Sequence, residues 1–456
     1  MDRIKGRIRP RFWLGGLAVL VVGLAIAIPA LANLTGSSFE SNDGNLQVDL
    51  SGNKDWANAP NLKTALDLPT GTQDDSFGQG TKEDSPVPTV VNGSIPNNKS
   101  DLTRFYVADE NVGARHFLYL AWERVQEPNG TTNMDFEFNQ SKTLSSNGVT
   151  PVRTAGDILI KYDLSQGGTV PTLGIHRWVT TGTPSQVCEA NNSVPCWGKA
   201  QPLTGFADGA INTGSVVDPI APNAPRSLSP RTFGEAAIDL TGSNILPPGT
   251  CAGFGRAYLK SRASDSFTAE VKDFIAPIPV NINNCGTVNI HKEDDAGHVL
   301  AGAGFTLYKD NAPTGGTRGS EDTITSFTCT TGSDGNCSIP LVPIGQYWVV
   351  ETTVPANYSR APDQNVSITS GGQVVGLTFR DPRLHRVIVL VCHEGTDTLD
   401  PNSITFGSST KTSIGAVPSA LQSKGVTQAD LCTLGGAQFG GLAHGNYSVG
   451  AAIAAH

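Results

Sequence analysis

The sequence predicts an all-β protein, and three observations carry that reading. Short runs alternate apolar and polar side chains with a period of two, the repeat of a strand with one face in a core. Turn residues punctuate those runs, with 51 Gly and 29 Pro in 456 residues, a density that breaks a chain into short elements. Helical periodicity is scarce, and only 264–274 and 418–422 read as short helices.

The N-terminus indicates the compartment. Arg3, Lys5, Arg7, Arg9 and Arg11 precede an apolar run, 12–29, and Ala30-Leu31-Ala32 is a small-x-small cleavage site. Residues 1–32 therefore read as a secretory signal peptide. The alternative is an uncleaved membrane anchor, since the run nearly reaches spanning length. The formal charge is −9, and removing residues 1–32 leaves −13. Such a chain is a poor match for nucleic acid or for an anionic lipid surface. Membrane association is expected only if the leader is retained. The expected partner is an extracellular protein or a glycan, and no cofactor is implied.

Eight cysteines fall outside the leader as sequential neighbours: Cys188/Cys196, Cys251/Cys285, Cys329/Cys337 and Cys392/Cys432. An even count in an exported chain reads as disulfides, and sequential pairing keeps each bridge within one proposed domain. The other reading is a zinc site, but neither a CxxC nor an HExxH spacing is present. Cys392-His393-Glu394 looks most like a ligand set and reads instead as a strand end. His393 and His444 could meet in space, and read otherwise as polar surface.

From residue 33 to 285 the chain reads as a β-sandwich, possibly a jelly roll, with strands at 117–122, 135–138 and 157–164. Trp122 alternates with Leu118 and Leu120 and belongs in the core. Trp56, Trp178 and Trp197 could form a sugar-stacking platform or pack inside. The acidic stretch 74–84 offers Asp74, Asp75, Glu83 and Asp84 as oxygen ligands for calcium; it also reads as a solvated loop. Asp101, the next acid, lies too far along the chain to count with them.

Residues 286–383 hold three strand faces that each end in a charge. Lys292 shares a face with Val288 and Ile290, Glu351 with Tyr347 and Val349, and Asp381 with Leu377 and Phe379. Buried together, these three would form a paired ion cluster or would have reacted with one another.

The segment resembles a Cna B-type, or SpaA-like, prealbumin-like domain of Gram-positive surface proteins, a transthyretin-like sandwich. The residues that carry the resemblance are Val288-Asn289-Ile290-His291-Lys292-Glu293-Asp294, Leu300-Ala301-Gly302-Ala303-Gly304-Phe305-Thr306-Leu307 and Gly345-Gln346-Tyr347-Trp348-Val349-Val350-Glu351-Thr352. The resemblance implies an intramolecular isopeptide bond from Lys292 to Asp381, assisted by Glu351. Asp stands where Asn is commoner, so water rather than ammonia would leave. Burial favours the neutral lysine and the neutral acid that such an attack needs, and a positioned carboxyl can shuttle the protons. The reaction would happen once, without turnover. Segments 254–274 and 385–395 are similar to parts of uncharacterised secreted actinobacterial proteins that carry such a domain.

The remaining stretch, 384–456, reads as a small C-terminal β unit braced by its own disulfide. No GxSxG, Walker A or HExxH pattern is present, and the Gly-rich run 435–442 lacks dinucleotide-loop spacing. The expected function is a structural or adhesive surface protein with a rigid stalk domain. The alternatives are a carbohydrate-binding protein, which needs exposed tryptophans, and a secreted hydrolase, which needs a cleft with facing carboxylates.

Overall fold

The computed structural model describes residues 33–384 apart from 70, 94–98, 129–132, 166–169, 191 and 313–315. Beyond them it describes strands 385–390, 401–406, 409–411, 436–442 and 449–453. The described chain is nearly all β. Its helical pieces are one 3-10 turn, Trp56–Asn58, and the four-residue Pro184–Val187. No helix among the described residues is long and apolar enough to cross a membrane.

Two antiparallel sheets build the larger sandwich. The first has five strands in the order Lys63–Leu66, Leu102–Val112, Arg115–Arg124, Phe233–Asp239, Ala207–Ile211. The second runs through Val170–Val179, Ile158–Ser165, Asn133–Asn139, Gly253–Arg262 and Val271–Asn283, with short strands at its edges. Phe105, Leu118, Leu120 and Trp122 of the first meet Phe136, Phe138, Ile160 and Leu259 of the second in one core. Alternation sends these side chains inward.

The opposite faces are covered too. Leu34, Phe39, Leu46 and Trp56 lie over Phe117, Tyr119 and Ala121 on the back of the first sheet, with the Phe39 ring stacked 3.9 Å from that of Tyr119. Leu159, Trp178, Trp197 and Phe267 form a cluster on the second. Every residue of Asn133–Asn139 is consequently buried. Its polar positions then need partners, because unpaired buried charge is costly. Arg153 grips Glu137 with two bonds of 2.8 and 2.7 Å. Lys260 and the Tyr258 hydroxyl reach the same carboxylate at 2.8 and 2.7 Å. Burial pushes the Glu137 carboxyl upward, but Arg153 and then Lys260 outweigh it and hold the group well below the usual range.

The helix expected over 264–274 is absent. Its last four residues start strand Val271–Asn283, which pairs with Gly253–Arg262 across a turn at 263–270. The apolar spacing of Phe267, Val271 and Phe274 is that of a helix, and pairing with an adjacent strand overrides it. Phe267 instead lies against the Arg262 guanidinium at 5.3 Å.

After Asn284 the chain enters a second sandwich. Its three-stranded sheet has the order Asn336–Pro343, Cys285–Asp294, Val374–Asp381. The facing sheet has the order Thr323–Thr330, Gly304–Lys309, Gly345–Thr353, Gln364–Ile368. Val288, Ile290, Ile339 and Phe379 pack against Phe305, Leu307, Val349 and Val366 between them. The first and last strands, Cys285–Asp294 and Val374–Asp381, pair in parallel. The outlying strands pair as His385–Leu390 with Gly436–Leu442, and Pro401–Phe406 with Ser409–Lys411 and Val449–Ile453.

Candidate functional site: a buried Lys–Glu–Asp cluster

Lys292, Glu351 and Asp381 meet inside the second sandwich. Lys292 belongs to the first strand and Asp381 to the last, within one sheet; Glu351 comes from the sheet opposite. Parallel pairing sets Lys292 beside Phe379 and Asp294 beside Asp381. The Lys292 and Asp381 side chains are therefore diagonal neighbours on the inner face, within reach of long side chains. The Lys292 ammonium contacts Asp381 Oδ1 directly and lies 3.0 Å from Glu351 Oε1. All three side chains are fully buried.

Apolar packing fixes the geometry. The Phe305 and Phe379 rings stand 4.8 Å apart, and Lys292 Nζ lies 5.8 Å from the Phe305 ring centre. Glu351 Oε2 accepts the Ala361 N–H at 3.2 Å. Asp381 Oδ2 has no hydrogen-bond partner. Burial pushes the Glu351 carboxyl above its usual range and the Asp381 charge adds to that, while hydrogen bonding and charge from Lys292 oppose it. One ammonium faces two carboxylates, and a proton held on Glu351 would make the cluster neutral. An amine, a carboxyl in contact with it and a second carboxyl able to carry protons are the parts that intramolecular amide formation needs.

Three disulfides form among the described residues. The Cys329–Cys337 disulfide joins edge strand Thr323–Thr330 to edge strand Asn336–Pro343, and so links the two sheets. Cys251–Cys285 joins the larger sandwich to the first residue of the strand that carries Lys292. Cys188–Cys196 closes a loop beside Trp197. Cys392 and Cys432 lie outside the described residues, as do His393, His444 and the 1–32 leader. Between the sandwiches stands a single residue, Asn284. Its side chain accepts the Ala252 N–H at 2.8 Å and donates to the Pro247 carbonyl at 2.9 Å. Its backbone accepts from Ile344 N at 3.0 Å.

The acidic stretch 74–84 does not form one site. Glu83 pairs with Lys260, and Asp84 accepts the Trp197 N–H at 2.6 Å. Asp74 and Asp75 face Asp67 instead. The turn after strand Asp75–Phe77 separates the two halves. Asp101 is also close: after burial, its charge is the strongest influence raising the Asp74 carboxyl. Sequence reading missed Asp67 and Asp273, because each stands alone in the chain and pairing alone brings them near.

Trp56, Trp178 and Trp197 are all buried, so of the two readings open to them the interior one holds and the surface platform does not. Trp178 and Trp197 pack edge to face at 5.1 Å, and the Arg153 guanidinium lies 4.8 Å from the Trp178 ring centre. The Trp56 indole donates to Glu235 at 2.9 Å. Trp122 is in the core.

Residues 286–383 match the SpaA family model, a prealbumin-like fold domain. The match covers less than a quarter of the chain, and Lys292, Glu351 and Asp381 all lie within it. No curated protein sequence matches the chain. Similar solved structures include a streptococcal ancillary pilin, at 15% identity and TM-score 0.24, over 50% of this chain and 71% of that one. The pilus 2b backbone protein of group B streptococcus is similar at 13% identity and TM-score 0.25, over 61% and 97%. Domains D2 and D3 of the major pilin SpaD from Corynebacterium diphtheriae are similar at 11% identity and TM-score 0.23, over 61% and 98%.

Proposed function

We propose that this is an exported structural protein of the cell surface. Its prealbumin-like domain is a rigid spacer, braced by a single autocatalytic Lys292–Asp381 amide bond. The observation that carries this reading is the buried contact between Lys292 on the first strand and Asp381 on the last, with Glu351 facing both. The step balances without a co-reactant. Neutral Lys292 Nζ attacks the carboxyl carbon of protonated Asp381. Glu351 passes a proton from the nitrogen to the departing oxygen, the C–O bond breaks and water leaves. Folding supplies the proximity.

The topology gives the bond a mechanical use. The chain enters along Cys285–Asp294 and leaves along Val374–Asp381, and these strands run in parallel. Tension applied at the two ends therefore shears one strand against the other. An amide between Lys292 and Asp381 would carry that tension directly and leave 293–380 unloaded. The one-residue Asn284 junction, held by hydrogen bonds to Ala252, Pro247 and Ile344, suits the same use, and so does the match of 286–383 to the SpaA prealbumin-like domain.

Branched-peptide mapping tests the reading. Digestion of the reduced protein should yield one peptide pair joined through Lys292 and Asp381. Recovery of both peptides only in linear form would overturn the crosslink.

A further inference from the structure

We propose that Glu40, Asp43 and Asp55, on the segment that covers the back of the first sheet of the larger sandwich, bind one calcium ion. A parallel bridge between Phe39 and Lys54 sets Glu40 beside Asp55, with the Glu40 N–H donating to the Lys54 carbonyl at 2.8 Å. The chain between them folds back. One carboxylate oxygen each from Glu40, Asp43 and Asp55 consequently lies within 4.8 Å of the others. Ligands of one calcium ion, each about 2.4 Å from it, are at most about 4.8 Å apart.

The second observation is the state of Asp55, one of those three carboxylates. It is 0% exposed. Its Oδ1 accepts the Trp56 N–H at 2.6 Å, while Oδ2 is buried without a hydrogen-bond partner. No second carboxyl shares a proton with it: besides burial and the Trp56 N–H, Asp55 feels only the charges of Asp43, Glu40 and Asp49. Lys54, the adjacent cation, turns away to pair with Glu110. Buried carboxylates are ordinarily paired or coordinate a metal, and Asp55 is not paired.

The surroundings hold the other two ligands in place. Glu40 Oε1 accepts the Leu50 N–H and the Asn53 amide at 2.9 and 2.8 Å. Its Oε2 accepts only the Asp49 N–H, at 2.6 Å, and keeps a lone pair for an ion. Glu235, on the sheet face beneath the segment, accepts the Gly44 N–H at 2.7 Å and the Trp56 indole N–H at 2.9 Å. Burial raises the Glu235 carboxyl well above its usual range, and the charges of Asp55 and Asp43 add to that. It therefore keeps its proton and donates to Asp43, leaving Glu40, Asp43 and Asp55 to face the ion. The donor set is oxygen alone, which suits a hard cation and not zinc. Carboxylates on an irregular segment suit calcium's flexible shell better than magnesium's strict octahedron. Asp43 is only partly buried, which leaves the ion a way in from solvent.

Calorimetric titration of the chelator-treated intact chain with calcium chloride tests this, with thermal unfolding recorded alongside. Burial pushes Asp55 up to about 9, and the charges of Asp43 and Glu40 add to that. The expected result is therefore one ion bound per chain, a raised Tm and proton release at pH 7 as Asp55 ionises. Asp55→Asn should weaken binding by roughly tenfold or more. It should unfold, in chelator, no earlier than the native chain, because Asn caps the turn at Trp56–Asn58 as well as Asp does. Asp43→Asn should weaken binding likewise and serves if Asp55→Asn does not fold. Absence of heat and of a Tm shift at millimolar calcium would overturn the proposal. Undiminished binding in both variants would overturn it as well, by moving the ion elsewhere, for instance to Asp67, Asp74 and Asp75. Equal binding of magnesium would overturn the assignment to calcium.

Discussion

At Lys292 a buried ammonium is stabilised by two carboxylates, and the roles of those carboxylates differ. Asp381 is in contact with the amine and has an oxygen free; Glu351 reaches across from the facing sheet. If Glu351 carries the protons, Glu351→Gln should keep the fold and slow amide formation by roughly 10²–10⁴-fold. Following the crosslinked fraction by mass after refolding would measure that. The aspartates near Asp74 give a pH prediction of opposite sense to ordinary acid unfolding. Asp67 rises from 3.8 when unfolded to about 8 when folded, so the folded state holds its proton more tightly. The stability this contributes is complete below about pH 4 and is lost as pH rises through 8. The Tm advantage of Asp67→Asn over the native chain should therefore widen from pH 4 to pH 8, and unfolding scans across that range would show it. The three faces of Lys292, Glu351 and Asp381 could be read by counting, because strand parity is fixed by the backbone. Asp67 and Asp273 could not, because no local pattern connects them.

Single elements explain where sequence reading held and where it failed. Strands at 117–122 and 135–138 are found within Arg115–Arg124 and Asn133–Asn139, and the one expected at 157–164 is found one residue later, as Ile158–Ser165. Residues 264–274 failed because the Gly253–Arg262 strand stood ready to pair with the last four of them. The tryptophans also illustrate a limit. Alternation located Trp122, but Trp178 and Trp197 face away from the main core and are buried by a second layer that alternation does not reveal. The Cys329–Cys337 bridge ties the edges of both sheets of the prealbumin-like domain. Replacing both cysteines with serine should cost about 2–3 kcal/mol, the usual effect of a short loop. Denaturant unfolding of the double variant would measure it. If the Lys292–Asp381 bond is present, the first and last strands should stay joined in that variant.

Across the whole molecule, long-range pairing decides most of what the sequence concealed. Glu83 meets Lys260 across 177 residues, which dissolves an acidic stretch that looked continuous in sequence. The junction at Asn284 was equally hidden, since one Asn gives no sign that it is held from both sides. Asn284→Ala would leave the Ala252 N–H and the Pro247 carbonyl without these partners, at about 1–3 kcal/mol. Limited proteolysis should then cut near 284, where the native chain resists. Cleavage of the native chain there at an equal rate would contradict a stiff connection between the sandwiches.

The central claim is the covalent brace, and intact mass tests it most directly. The chain should be fully reduced and its N-terminal residue identified before weighing. The account predicts a mass one water below that of the sequence, with Lys292→Ala at its own full sequence mass. The full sequence mass in the native chain would contradict the brace and leave Lys292, Glu351 and Asp381 as a buried ion cluster.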